Sequence, residues 1–462
     1  MMKPEHGSAG PAARALSGPL WRSFLVFLAP MMLANILQGL SGTINGIFLG
    51  QMIGIEAVAT ASVLFPVVFF LIAFVIGIGA GSAILIGQAY GAGASDKLKA
   101  IAGTSLSVTL IFGVVVAVFG GAFTDRLLVA LQTPADILPE ATVYARVMML
   151  AMPGLFVFLL VTSMMRGVGD SLTPLYTLGL STAAGFVVTP ALIRGWLGLP
   201  RLGVVSAACA SMVSFVVALL WLAFYLRRKR HPLAPDMTLL RHMRIQPAIL
   251  KRVLGIGLPT SVQMVAISLA EIVLLGFVNG FGSDATAAYG AVNQVITYVQ
   301  FPAISIAITV SIFGAQAIGR GDTGGLGAIV RTGQTLNVLL TGGLVVVAYL
   351  FSRGLIGLFI TSPTVLELAL GLLHIVLWSM VVFGAAGVMS SIMRASGTVL
   401  MPMALTIFAI FAVEVPAAWL LSRSIGVDGI WMAYPIAFTA MLALQTGLYW
   451  LYWKRKPIER LV

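Results

Sequence analysis

The 462-residue sequence has one cysteine, four histidines and very little charge: Asp, Glu, Lys and Arg together make up 9%. An ordinary soluble domain carries about 25%, so a soluble enzyme, a nucleic-acid-binding module and a disordered scaffold are all excluded as readings. The single thiol, Cys209, cannot form an intramolecular disulfide. With so few sulfur and imidazole ligands a zinc site is not expected either, and Cys209 reads as a small buried residue of an apolar run. No Gly-Lys-Ser/Thr phosphate loop and no metal-ligand cluster occurs, which argues against an enzyme and against ATP as a driving force. What the chain has instead is 59% hydrophobic residues, 50 Gly and 21 Pro, with a mean hydropathy of +1.04. That composition describes an integral membrane protein built of bent helices, because transmembrane helices tolerate both Gly and Pro.

Apolar runs of at least 20 residues, each able to cross a bilayer, recur at 20–50, 57–87, 99–124, 137–165, 171–194, 203–226, 253–280, 285–317, 327–352, 364–393, 399–422 and 429–453. The expected fold class is therefore an all-α integral membrane protein with twelve transmembrane helices in two six-helix lobes. The net charge of +12 tests the count. With an inner N-terminus, the outer side receives only Arg126, Arg146, Arg194, Arg201, Arg353 and Arg423 of the 27 basic residues. Positive charge gathers in cytoplasmic loops, so both termini are expected in the cytoplasm, and the basic balance needs no nucleic-acid partner. Residues 1–19 read as a cytoplasmic tail rather than a cleavable signal. The remaining divisions are an N-lobe at 20–226, a basic cytoplasmic linker at 227–252, a C-lobe at 253–453 and a tail at 454–462.

The halves repeat. A shift of 228 residues lays Gln88-Ala89-Tyr90-Gly91 on Gln316-Ala317-Ile318-Gly319, Met165-Arg166 on Met393-Arg394, Gly169 on Gly397 and Gly54 on Gly282. Six spans per copy is an even number, so the lobes should be related by an axis along the membrane normal, as in transporters that rock two bundles about a central site. Arg166 and Arg394 close equivalent helices and read as anchors at the cytoplasmic face. A channel would more often be an oligomer of smaller subunits, and no filter-like loop is present; a monomer is expected here.

Several stretches carry a resemblance. Asn45-Gly-Ile-Phe-Leu-Gly50, Gly87-Gln-Ala-Tyr-Gly-Ala92, Met165-Arg-Gly-Val-Gly-Asp170 with Pro174, and Gly257-Leu-Pro259 occur in this order along the chain. Over residues 20–455 the sequence resembles the multidrug and toxic compound extrusion (MATE) family. The resemblance implies a V-shaped cavity between two six-helix lobes in the cell (inner) membrane, and export of organic cations in exchange for H⁺ or Na⁺. The family often has an acid where this chain has Asn45, so carboxylate coupling must use the C-lobe. The charged loop signature of the major facilitator superfamily is absent between the second and third spans. A lipid or lipid-linked-sugar flippase is the alternative, but such a protein should line its cavity with basic residues, and apart from Arg146 the basic residues lie only at or near the ends of the spans.

Only Glu271 and Glu414 lie well inside apolar runs. An ionised carboxyl there is costly unless paired or neutralised, so one group can exchange a proton for a cation. Both lie about 14 Å from the outer end of their helices at 1.5 Å per residue, with His374 and Asn293 at about 16 and 12 Å. One coupling site of Glu271, Glu414, His374 and Asn293 is expected inside the C-lobe, taking H⁺ or a Na⁺ held at Glu271 and Glu414; no cofactor is implied. Thr260, Gln263, Ser268 and Glu271 share one sector of the seventh helix. Gln263, Gln294, Thr297, Tyr298, Gln300, Asn35, Gln38 and Asn45 are the candidate cavity residues; Gln294, Gln300, Asn35 and Gln38 are equally able to serve as bonds between helices. Pro416, two residues after Glu414, frees the carbonyl of Ala412. The 21 Met offer adaptable apolar walls.

Overall fold

Glycine sets the corners. Four glycines with positive φ stand where helices end in the first half: Gly54 (131°), Gly93 (69°), Gly169 (92°) and Gly198 (81°). Each has a partner 228 residues later, also with positive φ: Gly282 (98°), Gly321 (82°), Gly397 (83°) and Gly426 (72°). A side chain is strained in that conformation, so the repeat preserves glycine at these four turns; Gly195 (73°) and Gly203 (54°), also at positive φ, fall on Arg423 and Trp431 and are not repeated.

A computed structural model describes residues 19–198 and 200–462; most of the expected 1–19 tail lies outside the described residues. Between the corners run twelve helices long and apolar enough to cross a membrane. They are α1 (Leu20–Met52), α2 (Phe65–Gly91), α3 (Ser95–Gly120), α4 (Leu138–Val168), α5 (Leu172–Arg194), α6 (Val205–Arg228), α7 (Pro247–Asn279), α8 (Ser283–Arg320), α9 (Leu326–Leu350), α10 (Pro363–Ala395), α11 (Leu400–Ile425) and α12 (Val427–Arg455). Among the described residues there is no strand. One expected span is shorter than the apolar run that suggested it, and another is shifted toward the N-terminus. Ile55–Val63 is a separate helix before α2, because the chain turns at Leu64, two residues before Pro66. Thr124–Ala130 likewise stands apart from α3. Hydropathy alone does not register either turn.

Three spans contain a wide π-helical turn: Val116–Gly120 in α3, Asn337–Thr341 in α9 and Ala409–Glu414 in α11. The last ends two residues before Pro416, whose ring clashes with the carbonyl four residues back in a regular helix. A wide turn relieves that clash and places Glu414 at its end. In α9 the buried Asn337 amide donates to the Val381 carbonyl (2.8 Å), and Gln334 donates to Ala385 O (3.0 Å). Two amides of α9 thus hold α10 just past its interruption at Leu377–Trp378.

By packing, the described chain forms two compact units. One contains Leu33–Tyr90 and Ala94–Ser261; the other contains the described residues up to Met32, Gly91–Gly93 and Val262–Val462. Helix boundaries and packing units therefore differ at the first helix of each copy. In the first unit the opening half of α7 lies on α2 at backbone distance. A Cβ on Gly77 would overlap Ser261 Oγ and the Gly257 carbonyl, and one on Gly81 would overlap the Val253 carbonyl. In the second unit the start of α1 packs on α8 through Phe24 and Phe27, whose rings lie 4.9 and 5.5 Å from that of Phe313. Around Leu128, Tyr144, Phe156 and Val204 the first unit builds its core. The second builds its core around Leu274, Val292, Leu373 and Trp431. Cys209 is only partly buried, more open than its apolar run suggested.

The basic linker is a docked strap of the first unit. Its short helix Met237–Arg241 is capped by Asp236, which accepts from Leu239 N (2.8 Å) and pairs with Lys99 of α3. Arg227 Nε donates to Pro235 O (2.7 Å), Thr104 Oγ1 donates to Arg244 O (3.2 Å), and a Cβ on Gly103 would overlap the His242 carbonyl. His231 lies 3.7 Å from Asp170, which caps the start of α5, and its Nδ1 accepts from Leu233 N (3.2 Å).

Bonding to Lys99 holds the Asp236 carboxyl below its usual range. Burial pushes the His231 imidazole down, against the pull of Asp170. Both shifts have the same sign. Each folded-state pKa is depressed, so the stabilisation is present above the unfolded value and is lost as pH falls through the folded one. The strap is expected to loosen in acid, with His231 responding first, below about pH 6.5. Amide exchange over 231–245, corrected for intrinsic rates, should lose several-fold protection between pH 7.5 and 5.5, and His231→Gln should flatten that response. Equal corrected protection at both pH values in the parent protein would contradict it.

Candidate functional site

The carboxyl of Glu271, in the last third of α7, accepts two hydrogen bonds on Oε2: from Tyr289 of α8 (2.8 Å) and from Tyr434 of α12 (3.0 Å). The two hydroxyls lie 3.4 Å apart. α8 brings Tyr289 there because it packs along α10 and is lined by small residues at Ala285, Ala288 and Ala291. α12 brings Tyr434 from the turn before Pro435. Trp431, fully buried, completes an aromatic wall, with its ring 5.2 Å from Tyr289 and 5.8 Å from Tyr434. Its indole N–H has no acceptor among the described residues.

Glu414 of α11 is 4% exposed. It lies within electrostatic reach of Glu271 and of Tyr434. The Asn293 amide lies beside the Tyr289 hydroxyl, one turn along α8. Two acids, two phenols and an amide from four helices therefore meet inside one unit. A buried carboxylate is tolerable only when hydrogen-bonded or neutralised. This arrangement offers two hydroxyl donors to an ionised Glu271, and carboxyl oxygens to a proton or a hard cation.

His374 is not part of this cluster. It lies on the exposed side of α10, where its Nε2 meets Ser352 Oγ at 3.2 Å and its ring lies 5.3 Å from Tyr349. Depth along a helix can be counted from the sequence, but the direction around it cannot, and His374 points another way.

The expected cavity residues scatter. Thr297 returns its hydroxyl to Asn293 O (2.8 Å), and Tyr298 meets Phe301 edge-on at 5.5 Å. Gln300 donates to Met380 Sδ at 3.5 Å, a bond between helices. Gln263, Gln294 and Asn35 are half-buried, and Gln38 is exposed. The Asn45 carbonyl oxygen is buried without a partner among the described residues. Thr260 spends its hydroxyl on its own helix, at Ile256 O (3.0 Å). Arg166 and Arg394 are half-buried at their helix ends, with Arg394 donating to Ser391 Oγ (2.8 Å).

The sequence reading missed Tyr289, Tyr434 and Trp431. Tyr289 stands one turn before Asn293, four residues along the same helix, so the signal was available. Tyr434 and Trp431 lie in an aromatic-rich apolar run that gives no such cue.

The repeat does not duplicate this chemistry. At the positions equivalent to Glu271, Tyr289 and Tyr434 the first copy has Thr43, Ala61 and Ser206. The Thr43 hydroxyl returns to its own backbone at Gly39 O (3.1 Å).

The MatE family model matches the chain twice, over residues 30–191 and 259–420, one match in each copy of the repeat. The chain is 44% identical over 445 residues to the probable multidrug resistance protein YoeA of Bacillus subtilis, covering 96% of each. It is 23% identical to the multidrug export protein MepA of Staphylococcus haemolyticus, covering 92% of each. Among solved structures it superposes on an outward-facing multidrug resistance MATE family transporter of the MOP superfamily with a TM-score of 0.87 at 22% identity, covering 97% of this chain and 98% of that one. Two family matches in register with the internal repeat, twelve membrane helices and near full-length similarity to named multidrug resistance proteins lead to one conclusion: the chain belongs to the MATE family of membrane transporters.

Proposed function

We propose that the protein is a secondary antiporter that exports small organic cations in exchange for H⁺ or Na⁺ by alternating access, coupled through Glu271 and Glu414. The observation that carries this reading is the Glu271 carboxyl inside a membrane span, held by Tyr289 and Tyr434 with a second carboxyl in electrostatic reach. Such a pair need not hold two negative charges. Taking up a proton, or a Na⁺ on its carboxyl oxygens, neutralises what the membrane interior disfavours. Losing that ion on the opposite side restores the charge, and the difference between the two states can be spent on moving a cationic cargo. The relatives' printed names supply the cargo class, multidrug resistance and multidrug export, and the scarcity of basic residues within the spans suits cations. The protein would work as a monomer in the cell membrane, with both termini in the cytoplasm.

Ethidium efflux from proteoliposomes, with the pH gradient and the Na⁺ gradient imposed separately, tests this. Efflux at least severalfold above the ungradiented rate is expected under one of them. Its absence under both would reject the antiport reading and favour a flippase.

A further inference from the structure

The chain just past the core of α12 is built as a fixed ledge. Trp453 is buried, stacks on Tyr449 with ring centroids 5.2 Å apart, and donates its indole N–H to Ser396 Oγ at 2.8 Å. Beyond it the tail folds back. A Cβ on Gly321 would lie 2.6 Å from the Arg460 guanidinium, and one on Gly397 would lie 2.8 Å from Leu461. Between these two anchors the chain carries Lys454, Arg455 and Lys456 in succession, all exposed. On the same end of the helix Trp450, Leu451 and Tyr452 are 52%, 68% and 43% exposed. Lys454 lies over the Trp450 ring at 4.0 Å and Lys456 over Tyr452 at 5.9 Å. None of the three cations is ion-paired among the described residues, and Glu459 is the one acid in the tail.

The first copy repeats part of this. Trp221 and Tyr225, 228 residues before Tyr449 and Trp453, stack at 4.9 Å with the Trp and Tyr exchanged, and Lys229 lies over Tyr225 at 4.6 Å. There, however, the neighbouring Arg227 is spent on the strap, bonded to Pro235 O. At the end of α12 the two lysines lie over aromatic rings and no described acid pairs with any of the three cations.

We propose that this ledge is a docking site for an acidic phospholipid. The Lys454–Arg455–Lys456 cations bind the headgroup phosphate, and Trp450 and Tyr452 lie against the glycerol and upper acyl region. Three features select this occupant. Amphipathic rings are at home at headgroup depth. Lysines folded back over those rings hold their charge at the same level. Clustered basic residues beside a membrane helix attract anionic lipid at roughly fivefold per charge. The inference is independent of the coupling mechanism.

Native mass spectrometry of the purified full-length protein, titrated with phosphatidylglycerol or phosphatidylcholine, tests it. The parent protein should retain phosphatidylglycerol in clear preference. The triple variant K454Q/R455Q/K456Q should lose that retention at least tenfold. A control with the same loss of charge at the other end of the helices, R126Q/R201Q/R423Q, should keep it. Retention unchanged in the first variant, or lost equally in the control, overturns the proposal. Should the triple variant fail to fold, the single changes K454Q and K456Q decide: each should weaken retention severalfold, and unchanged retention in both overturns the proposal as well.

Discussion

Glu271→Gln should reduce gradient-driven ethidium efflux in proteoliposomes at least tenfold, with normal expression and elution from a sizing column. Glutamine has nearly the same shape, and its carbonyl can still accept from Tyr289 and Tyr434, so the fold should survive. What is lost is the ionisable carboxyl, and with it any exchange of a proton for a cation at this position. Glu414→Gln should also impair export, since the second carboxyl lies within reach of the first. Tyr289→Phe and Tyr434→Phe should act more gently, each removing one hydrogen bond to a charged group, a contribution of about 1.5–3 kcal/mol. Full coupled export in both glutamine variants would end the carboxylate hypothesis, while leaving membership of the family untouched.

Gly81→Ala should be among the most damaging single methyl additions in the first unit. The added carbon would overlap the Val253 carbonyl of α7, and a backbone atom cannot turn aside as a flexible side chain can. Overpacking of this kind costs about 1–3 kcal/mol. In a membrane, where helices associate through close packing of small residues, that contact has little hydrophobic driving force to replace it. Gly255→Ala, also on α7, meets nothing within 4 Å and should be neutral or slightly stabilising, because alanine is the better helix former. Thermal unfolding in detergent, followed by loss of the monodisperse peak, compares the two. If Gly81→Ala were no less stable than Gly255→Ala, the close packing of α2 on α7 would be wrong.

The twelve spans and the internal repeat were legible because both follow from one-dimensional quantities, the length of apolar runs and the spacing of Gly, Pro and Gln landmarks. Glu271 and Glu414 were legible for a similar reason: an acid inside an apolar run stands out against everything near it. The grouping around them was less so. His374 was placed with them on depth alone, and depth says nothing of direction; the side chain looks instead to Ser352 and Tyr349. Tyr289 and Tyr434 come from helices separated by over a hundred residues, and nothing in the sequence shows that their hydroxyls meet. The wide turn at Ala409–Glu414 was half legible. Pro416 announces a disturbance, but whether the helix kinks, breaks or widens depends on packing against α12. The docked linker was read only as basic and polar, because its anchors, Lys99 and Gly103, are remote in sequence.

The paired glycine corners separate two histories within one molecule. Four of the bends carry a positive-φ glycine in both copies, so the copies share these corners, although Gly195 and Gly203 of the first have no such partner. The residues between the bends were free to diverge: where the second copy has Glu271, Tyr289 and Tyr434, the first has Thr43, Ala61 and Ser206. A tandem fusion of two first copies would keep every corner glycine and lack these groups altogether. A tandem fusion of two second copies would keep the same corners and hold the set twice. Geometry and chemistry in this protein are separable: the Glu271, Tyr289 and Tyr434 set could be present twice, once or not at all without redrawing the fold.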